Sequence, residues 1–499
     1  MATAMPKELH VVSFNCWGLK FIAAHRNERL TEIGRQLAKQ DPPPDIVGLQ
    51  ECWTQQDYQS IRRETRHILP YGKFYYSGIF GGGLAILSRY PIEESSMVPY
   101  RLNGRPTAFW RGDWYVGKGI ACARIRLGPG AKDIVEVFTT HLHAPYEREP
   151  NDSYICHRTA QAWEIAKIIR GAADRGHLCL ALGDFNMIPL SLAHRLLEAH
   201  APVRDVWRVL HPDSSVGAAI DSAEKVRGRP IPTAQFNVTE NGVTCDSVYN
   251  TWRWNKPQQK LLGPGQPEIV IPDDKSDPEG KRLDYIFVSE GLRAHEPGCW
   301  VVKSAKVGMK SRHPTLQCSL SDHFSVETTL VWDATSHKSQ KKTIEVLAAE
   351  SEAFVGTPTL QSETEPIEFG KHLTTPSSVN YLPVAVYDEI LSMISVYTTR
   401  ERTQRRWRLY HFIGSVFLSI GCLTAIWWSP RPFVSFLLML LSTLNFGGGI
   451  IDGLIGGLFM GNEIRALKEF EWEIRNARRA AGGLTDGVEG EEEEGLKEW

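Results

Sequence analysis

Residues 178–189 read LCLALGDFNMIP, five apolar residues that stop at Gly183 and give way to Asp184 and Asn186 before Pro189. An apolar run of this length, closed by glycine and proline, predicts a strand buried on both faces with polar side chains at its tip. Aspartate accepts hydrogen bonds and asparagine both donates and accepts, so the pair can orient a water and hold a phosphate oxygen. Alone, Gly-Asp-x-Asn is also the sequence of an ordinary turn. The rest of the chain has to decide between the two.

The same pattern recurs in both directions along the chain. Residues 9–15, LHVVSFN, predict a strand ending at Asn15, and 45–51, DIVGLQE, one that delivers Glu51. Strands over 120–127 and 134–140 follow, the second running into Thr-Thr-His-Leu-His with His141 at its end. Residues 157–170 carry Ala162, Ile165, Ala166 and Ile169 at helical spacing, with Arg158 near the start within reach of a phosphate or in a structural pair. Residues 212–281 read as long loops, with at most one short hairpin. Further strands are predicted at 282–289, which contains Asp284, and within 319–332, opened by Asp322 and His323. Asn15, Glu51, His141, Asp184, Asn186, Asp322 and His323 therefore share one kind of position, the strand tip, in an α/β sandwich. Glu51 is a hard oxygen ligand suited to Mg²⁺, His323 beside Asp322 has the makings of a general base, and His141 those of a donor to a phosphoryl oxygen.

Of 499 residues, 42% are hydrophobic and 23% charged, an ordinary globular balance, and a formal net charge of −2 gives no overall attraction to nucleic acid. Nine scattered cysteines without a C-x-x-C pair predict reduced thiols, not a disulfide frame or zinc site. The start, MATAMPKELHVV, lacks the apolar core of a signal peptide, so a cytosolic first domain is expected.

Beyond residue 332 the chain changes character. Residues 333–383 are rich in Ser, Thr, Lys, Glu and Pro and predict a flexible linker. Residues 384–408 predict an amphipathic juxtamembrane helix ending in arginines that favour anionic lipid by about 1 kcal/mol each. Residues 409–428 hold no Asp, Glu, Lys or Arg and match the ~30 Å of a bilayer core; after Ser-Pro-Arg-Pro a second apolar run covers 433–451. Together 409–460 form a transmembrane hairpin, with 461–499 as a charged tail. Basic residues on both outer flanks place the N-terminal domain in the cytosol. Gly449, Gly453 and Gly457 would admit another helix, leaving a homodimer open. Asp452 is expected to mark the end of the span more than a pairing site.

FNCWG, LQECW, THLHA, GDFN, LDYIFVS and SDHFSV, in that order, resemble the motif series of the endonuclease/exonuclease/phosphatase superfamily. SGIFGGGLAILSRYPI, GDWYVGKG, THLHAPY and HRTAQAWEIAKIIR resemble its neutral sphingomyelinase and inositol phosphosphingolipid phospholipase C branch, over roughly residues 9–331. The resemblance implies a four-layered sandwich of two mixed β-sheets flanked by helices over 1–332, plus the two-helix hairpin. It implies Mg²⁺-dependent, phospholipase C-type hydrolysis of a phosphosphingolipid to ceramide and a phosphorylated headgroup. Carried over by position, Glu51 with Asn15 binds metal, and His323 accepts the proton with Asp322 as its orienting acid. Asp184 and Asn186 place phosphate and water, and His141 steadies the transition state. Asp284 either supports the site or is structural.

Residues 112–118 satisfy G-x-x-x-x-G-K, but Gly119 stands where a nucleotide loop needs Ser or Thr, so no ATP site is implied. In the resembling branch this stretch is essential, which implies that Asp113 and Lys118 contact the headgroup or gate access to it. The same fold acting on nucleic acid, a lyso-phospholipid or an inositol phosphate remains an alternative, as does a catalytically silent membrane adaptor; the charge and the hairpin speak against nucleic acid. An endoplasmic reticulum or mitochondrial membrane is compatible with the hairpin.

Overall fold

The computed structural model describes residues 5–147, 152–291, 298–334 and 379–482. Most of the 333–383 linker and the tail beyond 482 lie outside the described residues. The chain divides into two compact units: residues 1–100, 116–152 and 161–380 form the first, and 101–115, 153–160 and 381–499 the second.

The first unit is built on two six-stranded sheets. One runs β11(Cys299–Gly308)-β12(Ser325–Asp333)-β1(Glu8–Asn15)-β2(Ile46–Gln50)-β4(Ala85–Ser88)-β3(Tyr71–Phe74). The other runs β5(Ile92–Pro99)-β6(Gly119–Arg126)-β7(Ile134–His141)-β8(Leu178–Asp184)-β10(Asp284–Val288)-β9(Arg204–Asp205). Each is mixed: β1–β2 and β7–β8 are parallel, the other pairs antiparallel.

The opening stretch shows why its apolar run is continuous. Along β8, Leu178, Leu180 and Leu182 enter the core between the sheets with Val11, Ile46, Val135 and Val137. Cys179 and Ala181, of opposite parity, enter a second core with Ala162, Ile165 and Ile169 of α3(Ile155–Asp174) and Leu197 of α4(Leu192–His200). A strand covered on both faces has no polar side to show. Behind the first sheet, α1(Arg26–Ala38) and α2(Gln55–Thr65) supply Leu30, Ile33, Leu37 and Ile61 against Val12, Phe14, Val47 and Leu49. Helices, sheet, sheet, helices is the expected four-layered sandwich. The sheets approach closely: a Cβ added at Gly48 would stand 2.8 Å from a Leu182 methyl, so Leu182→Ala would open a cavity costing about 2–5 kcal/mol. Residues 212–281 are long loops, as expected, broken by short helical turns such as Ser222–Val226 and Lys256–Gln259.

In the second unit, the juxtamembrane segment and first span are one helix, Val384–Ala425. The second apolar helix, Pro432–Leu454, continues through a wide turn, Ile455–Phe459, into a C-terminal helix, Met460–Ala480. The apolar stretches of the hairpin are long enough to cross a membrane and mostly exposed, with Phe417, Leu437 and Leu444 facing outward. Polar and small residues lie between the two helices instead. Asn445 donates to the Ser415 carbonyl, and Ser419 Oγ to that of Ser442. Gly449 and Gly453 face Ser415 and Phe412 of the first helix, so the close approach they permit is used inside the hairpin and gives no support to a homodimer; Gly457 has open space. Asp452, near the end of the second apolar helix, also serves as a pairing site: it receives Arg408 and, at 2.7 Å, His411 Nδ1.

A buried polar cluster ties the helical part of this unit together. Tyr397 donates to Glu463 Oε1 at 2.7 Å, His157 Nε2 lies 3.3 Å from the same oxygen, and Glu401 is fully buried beside them. Burial, reinforced by the neighbouring Glu463, pushes the Glu401 carboxyl up to about 8.

Candidate active site

Two rows of polar residues meet where the strands of the two sheets end. In the second sheet, pairing register alone sets His141, Asp184 and Asp284 side by side, His141 opposite Asp184 and Asp184 opposite Asp284. In the first sheet, Asn15 closes β1, Glu51 follows β2, and His323 lies two residues before β12. Glu51 and Asn186 both adopt left-handed backbone, with φ of 53° and 46°, which turns the chain sharply at each tip.

Hydrogen bonds cross between the rows. Asn15 Nδ2 donates to Asp184 Oδ2 at 3.0 Å and to Glu51 Oε1 at 3.2 Å, while its Oδ1 accepts from the Trp17 backbone. Asn15 thus bridges the two carboxylates. His323 Nδ1 lies 2.7 Å from Asp284 Oδ2, and its Nε2 3.8 Å from Asp184 Oδ2. His141 Nε2 approaches the same Asp184 oxygen at 3.5 Å. Asn186 receives its geometry from Asp184, whose Oδ1 accepts the Asn186 N–H at 3.0 Å, and its Nδ2 donates to the Leu142 carbonyl. Lys118 Nζ donates to that same carbonyl at 3.0 Å.

The expected pairing of Asp322 with His323 is corrected here. The carboxylate that reaches the imidazole is Asp284, delivered by the other sheet. Asp322 Oδ1 instead lies 3.2 Å from Ser321 Oγ. Ser321, which the sequence analysis missed, also donates to the Asn15 carbonyl at 2.7 Å and accepts the His323 N–H. Its signal was its place directly before Asp322-His323.

Electrostatics divide the two histidines. Burial, then Lys118 and His323, hold His141 well below the usual histidine range, so it is neutral. For His323 burial works the same way, but Asp284, with Cys245 and Asp184, outweighs it and keeps the imidazole protonated well above its ordinary value. Burial pushes Asp184 up to about 7 and Asp322 to about 6, in each case against the pull of His323.

Such buried acids fit a divalent cation. Ligand atoms of Asp184, Asp284 and His323 lie within 4.8 Å of one another, and Glu51 adds a hard oxygen beside them. Asp113 and Arg158 fall in the second unit, both buried, while Lys118 belongs to the first. The G-x-x-x-x-G-K stretch leads into strand β6, whereas a nucleotide-binding loop opens a helix whose N-terminus holds phosphate. No nucleotide site is built here.

Residues 12–323 match the model of the endonuclease/exonuclease/phosphatase family. The chain belongs to that family. It is 36% identical over 479 residues to the inositol phosphosphingolipids phospholipase C of Schizosaccharomyces pombe, covering 96% of each chain. The protein of the same name from Saccharomyces cerevisiae is 30% identical, over 93% of this chain and 89% of that one. A putative neutral sphingomyelinase of Caenorhabditis elegans is 38% identical over 57% of this chain and 59% of its own. The chain is thus a phosphodiester hydrolase of the sphingomyelinase and phosphosphingolipid phospholipase branch, with two C-terminal helices that suggest membrane association.

Proposed function

We propose that the protein is a Mg²⁺-dependent phospholipase C-type hydrolase of membrane phosphosphingolipids, releasing ceramide and a phosphorylated headgroup. The observation that carries this reading is the pair of cross-sheet contacts, Asn15 to Asp184 and His323 to Asp284, which join the strand-tip residues into one site. Relatives of nearly the same length named for inositol phosphosphingolipids support the substrate class.

Within this site Asp184 and Asn186 hold the water in line with phosphorus. His323, oriented by Asp284, takes the water proton as the oxygen–phosphorus bond forms and the bond to the ceramide oxygen breaks, the departing alkoxide taking a proton from solvent. His141, kept neutral, donates toward a phosphoryl oxygen as negative charge grows there. A divalent cation held by Glu51 and the nearby carboxylates would supply positive charge at that oxygen and lower the proton affinity of His323 and Asp184. Arg158, Asp113 and Lys118 each act on headgroup contact or access. The hairpin keeps the enzyme at the bilayer, where ceramide, too apolar for water, must stay. With basic flanks on both sides, it is an integral protein of an intracellular membrane, the endoplasmic reticulum or mitochondrion, with the first unit in the cytosol.

The test is an assay of purified full-length protein with Mg²⁺ on sphingomyelin, inositol phosphoceramide, lyso-phospholipid and DNA. Ceramide release that stops with a chelator and returns with Mg²⁺ is the expected result. Cleavage of DNA or lyso-phospholipid, with none of either sphingolipid, would overturn the reading.

A further inference from the structure

Two turns of the first unit leave the first sheet beside the catalytic residues and carry apolar side chains that the fold leaves exposed. Strand register fixes where they stand. Asn15 pairs with Gln50 across β1 and β2, Leu49 with Ala85 across β2 and β4, and Phe74 with Ala85 across β3 and β4, so all four strands reach one edge of the sheet. The turn that follows Asn15 and the turn over residues 75–84 therefore emerge at the rim that holds Asn15 and Glu51.

On the first turn Phe21 is 92% exposed and Ile22 72%; on the second Ile79 is 69% exposed and Phe80 65%. Single apolar residues are ordinary on a protein surface. Four on two neighbouring turns form a patch. Both turns are held in shape. The Ala23 N–H donates to the Leu19 carbonyl at 2.9 Å and closes the first. The second is pinned on either side of Ile79 and Phe80, by a bridge from Gly78 to Val116 and by the Gly117 N–H, which donates to the Gly81 carbonyl at 3.1 Å. Trp53 fills the space between the turns: a Cβ at Gly18 would stand 3.8 Å from its ring, and one at Gly83 3.0 Å. Its Nε1 donates to Glu51 Oε2 at 3.4 Å, so one indole joins both turns to a carboxylate of the active site.

Charge and chemistry point to what meets this patch. Residues 16–25 and 71–84 contain Lys20 and Lys73 and neither Asp nor Glu. Lys20 Nζ lies 5.5 Å from the Phe21 ring and Lys73 Nζ 5.9 Å from that of Tyr76. Apolar tips with lysines behind them suit a bilayer surface, where the tips enter the acyl boundary and the amines meet lipid phosphates. A protein seated on these turns would stand over the rim and bar a lipid substrate; a bilayer brings it.

Resting on the function proposed above, we infer that Phe21, Ile22, Ile79 and Phe80 are an interfacial surface of the first unit that inserts into the bilayer holding the substrate and applies the strand-tip rim to it. The hairpin keeps the chain in a membrane; these turns give the catalytic unit a contact of its own. The experiment uses full-length protein in nanodiscs of phosphatidylcholine and phosphatidylserine. Phe21→p-benzoylphenylalanine and Ile79→p-benzoylphenylalanine should each form lipid adducts on irradiation, whereas Lys7→p-benzoylphenylalanine, exposed ahead of the opposite end of β1, should form none. No adduct from positions 21 and 79, equal adducts from all three, or cross-links to a second copy of the chain would overturn the surface. In the same nanodiscs the double variant Phe21→Ser with Ile79→Ser should hydrolyse bilayer-resident phosphosphingolipid about tenfold more slowly, with less than about twofold change on a short-chain, water-soluble analogue. Equal losses on both substrates would overturn it as well. If the native protein hydrolyses neither substrate, the functional reading fails, and the adduct pattern still supports or overturns the surface.

Discussion

Two clusters in this protein bury carboxylates against histidine, and they differ in how the acids are delivered. In the first unit Asp184, Asp284, Glu51 and His323 come from four different strand tips and interlock across two sheets. In the second, Glu401 and Tyr397 come from one helix, one turn apart, and meet Glu463 and His157 of two others. Both raise an acid: Asp184 to about 7 and Glu401 to about 8, by burial in each case. A raised carboxyl is therefore no mark of catalysis by itself. The distinction is that the strand-tip set brings three ligand atoms within 4.8 Å of one another; among the described residues the helical set offers no such group.

The comparison breaks first at its chemical end. Glu51→Ala or His323→Ala should lower kcat by about a thousandfold or more while the folded protein persists by circular dichroism. Near-normal turnover in either purified variant would remove the strand-tip cluster from catalysis. A finer cut separates the two candidate acids: Asp284→Asn should lose about 10²–10⁴-fold through misorientation of His323, and Asp322→Asn distinctly less. The reverse order in kcat would return the orienting role to Asp322.

At the helical end the expected effect is on stability. Glu401 has its folded value raised above the ordinary 4.5, so its contribution is full below about 4.5 and is lost as pH rises toward 8. It faces Glu463, Tyr397, Arg105 and Arg408, with His157 beside Glu463. Micelle-solubilised protein should melt at lower temperature at pH 9 than at pH 6, and Glu401→Gln should remove about 2–4 °C of that difference. An identical decline in the variant would show that Glu401 contributes nothing to the pH dependence between pH 6 and 9. Smallest of all, Gly457→Ala should leave melting and membrane partition unchanged, whereas Gly453→Leu should lower the melting temperature because Phe412 occupies the space. Equal behaviour of the two would contradict the packing of the hairpin.

Much of the site was legible because strand tips are local events. An apolar run that stops at Asn15, Glu51, His141 or Asp184 announces both the strand and the polar residue at its end, and the two apolar spans announce themselves by length. Strands such as β11, whose middle is largely exposed, and helices such as α2, with few apolar residues, carry weak patterns and were not read. The partner of His323 was missed for a different reason: Asp284 lies 39 positions away, and only the register of β8 with β10 brings it to the site.

By itself, then, the sequence determined the strand that ends in Gly-Asp-Phe-Asn, the series of polar tips, the two apolar helices long enough to cross a membrane and the family, all of which depend on neighbours a few residues apart or on motifs in order. Tertiary structure alone decided which carboxylate holds which histidine, that Asp452 is paired with Arg408 and His411, that Gly449 and Gly453 serve the hairpin, and that Trp53 joins the turns bearing Phe21 and Ile79 at one rim. Those outcomes depend on distance in space and on burial, and no pattern along one strand or helix carries either.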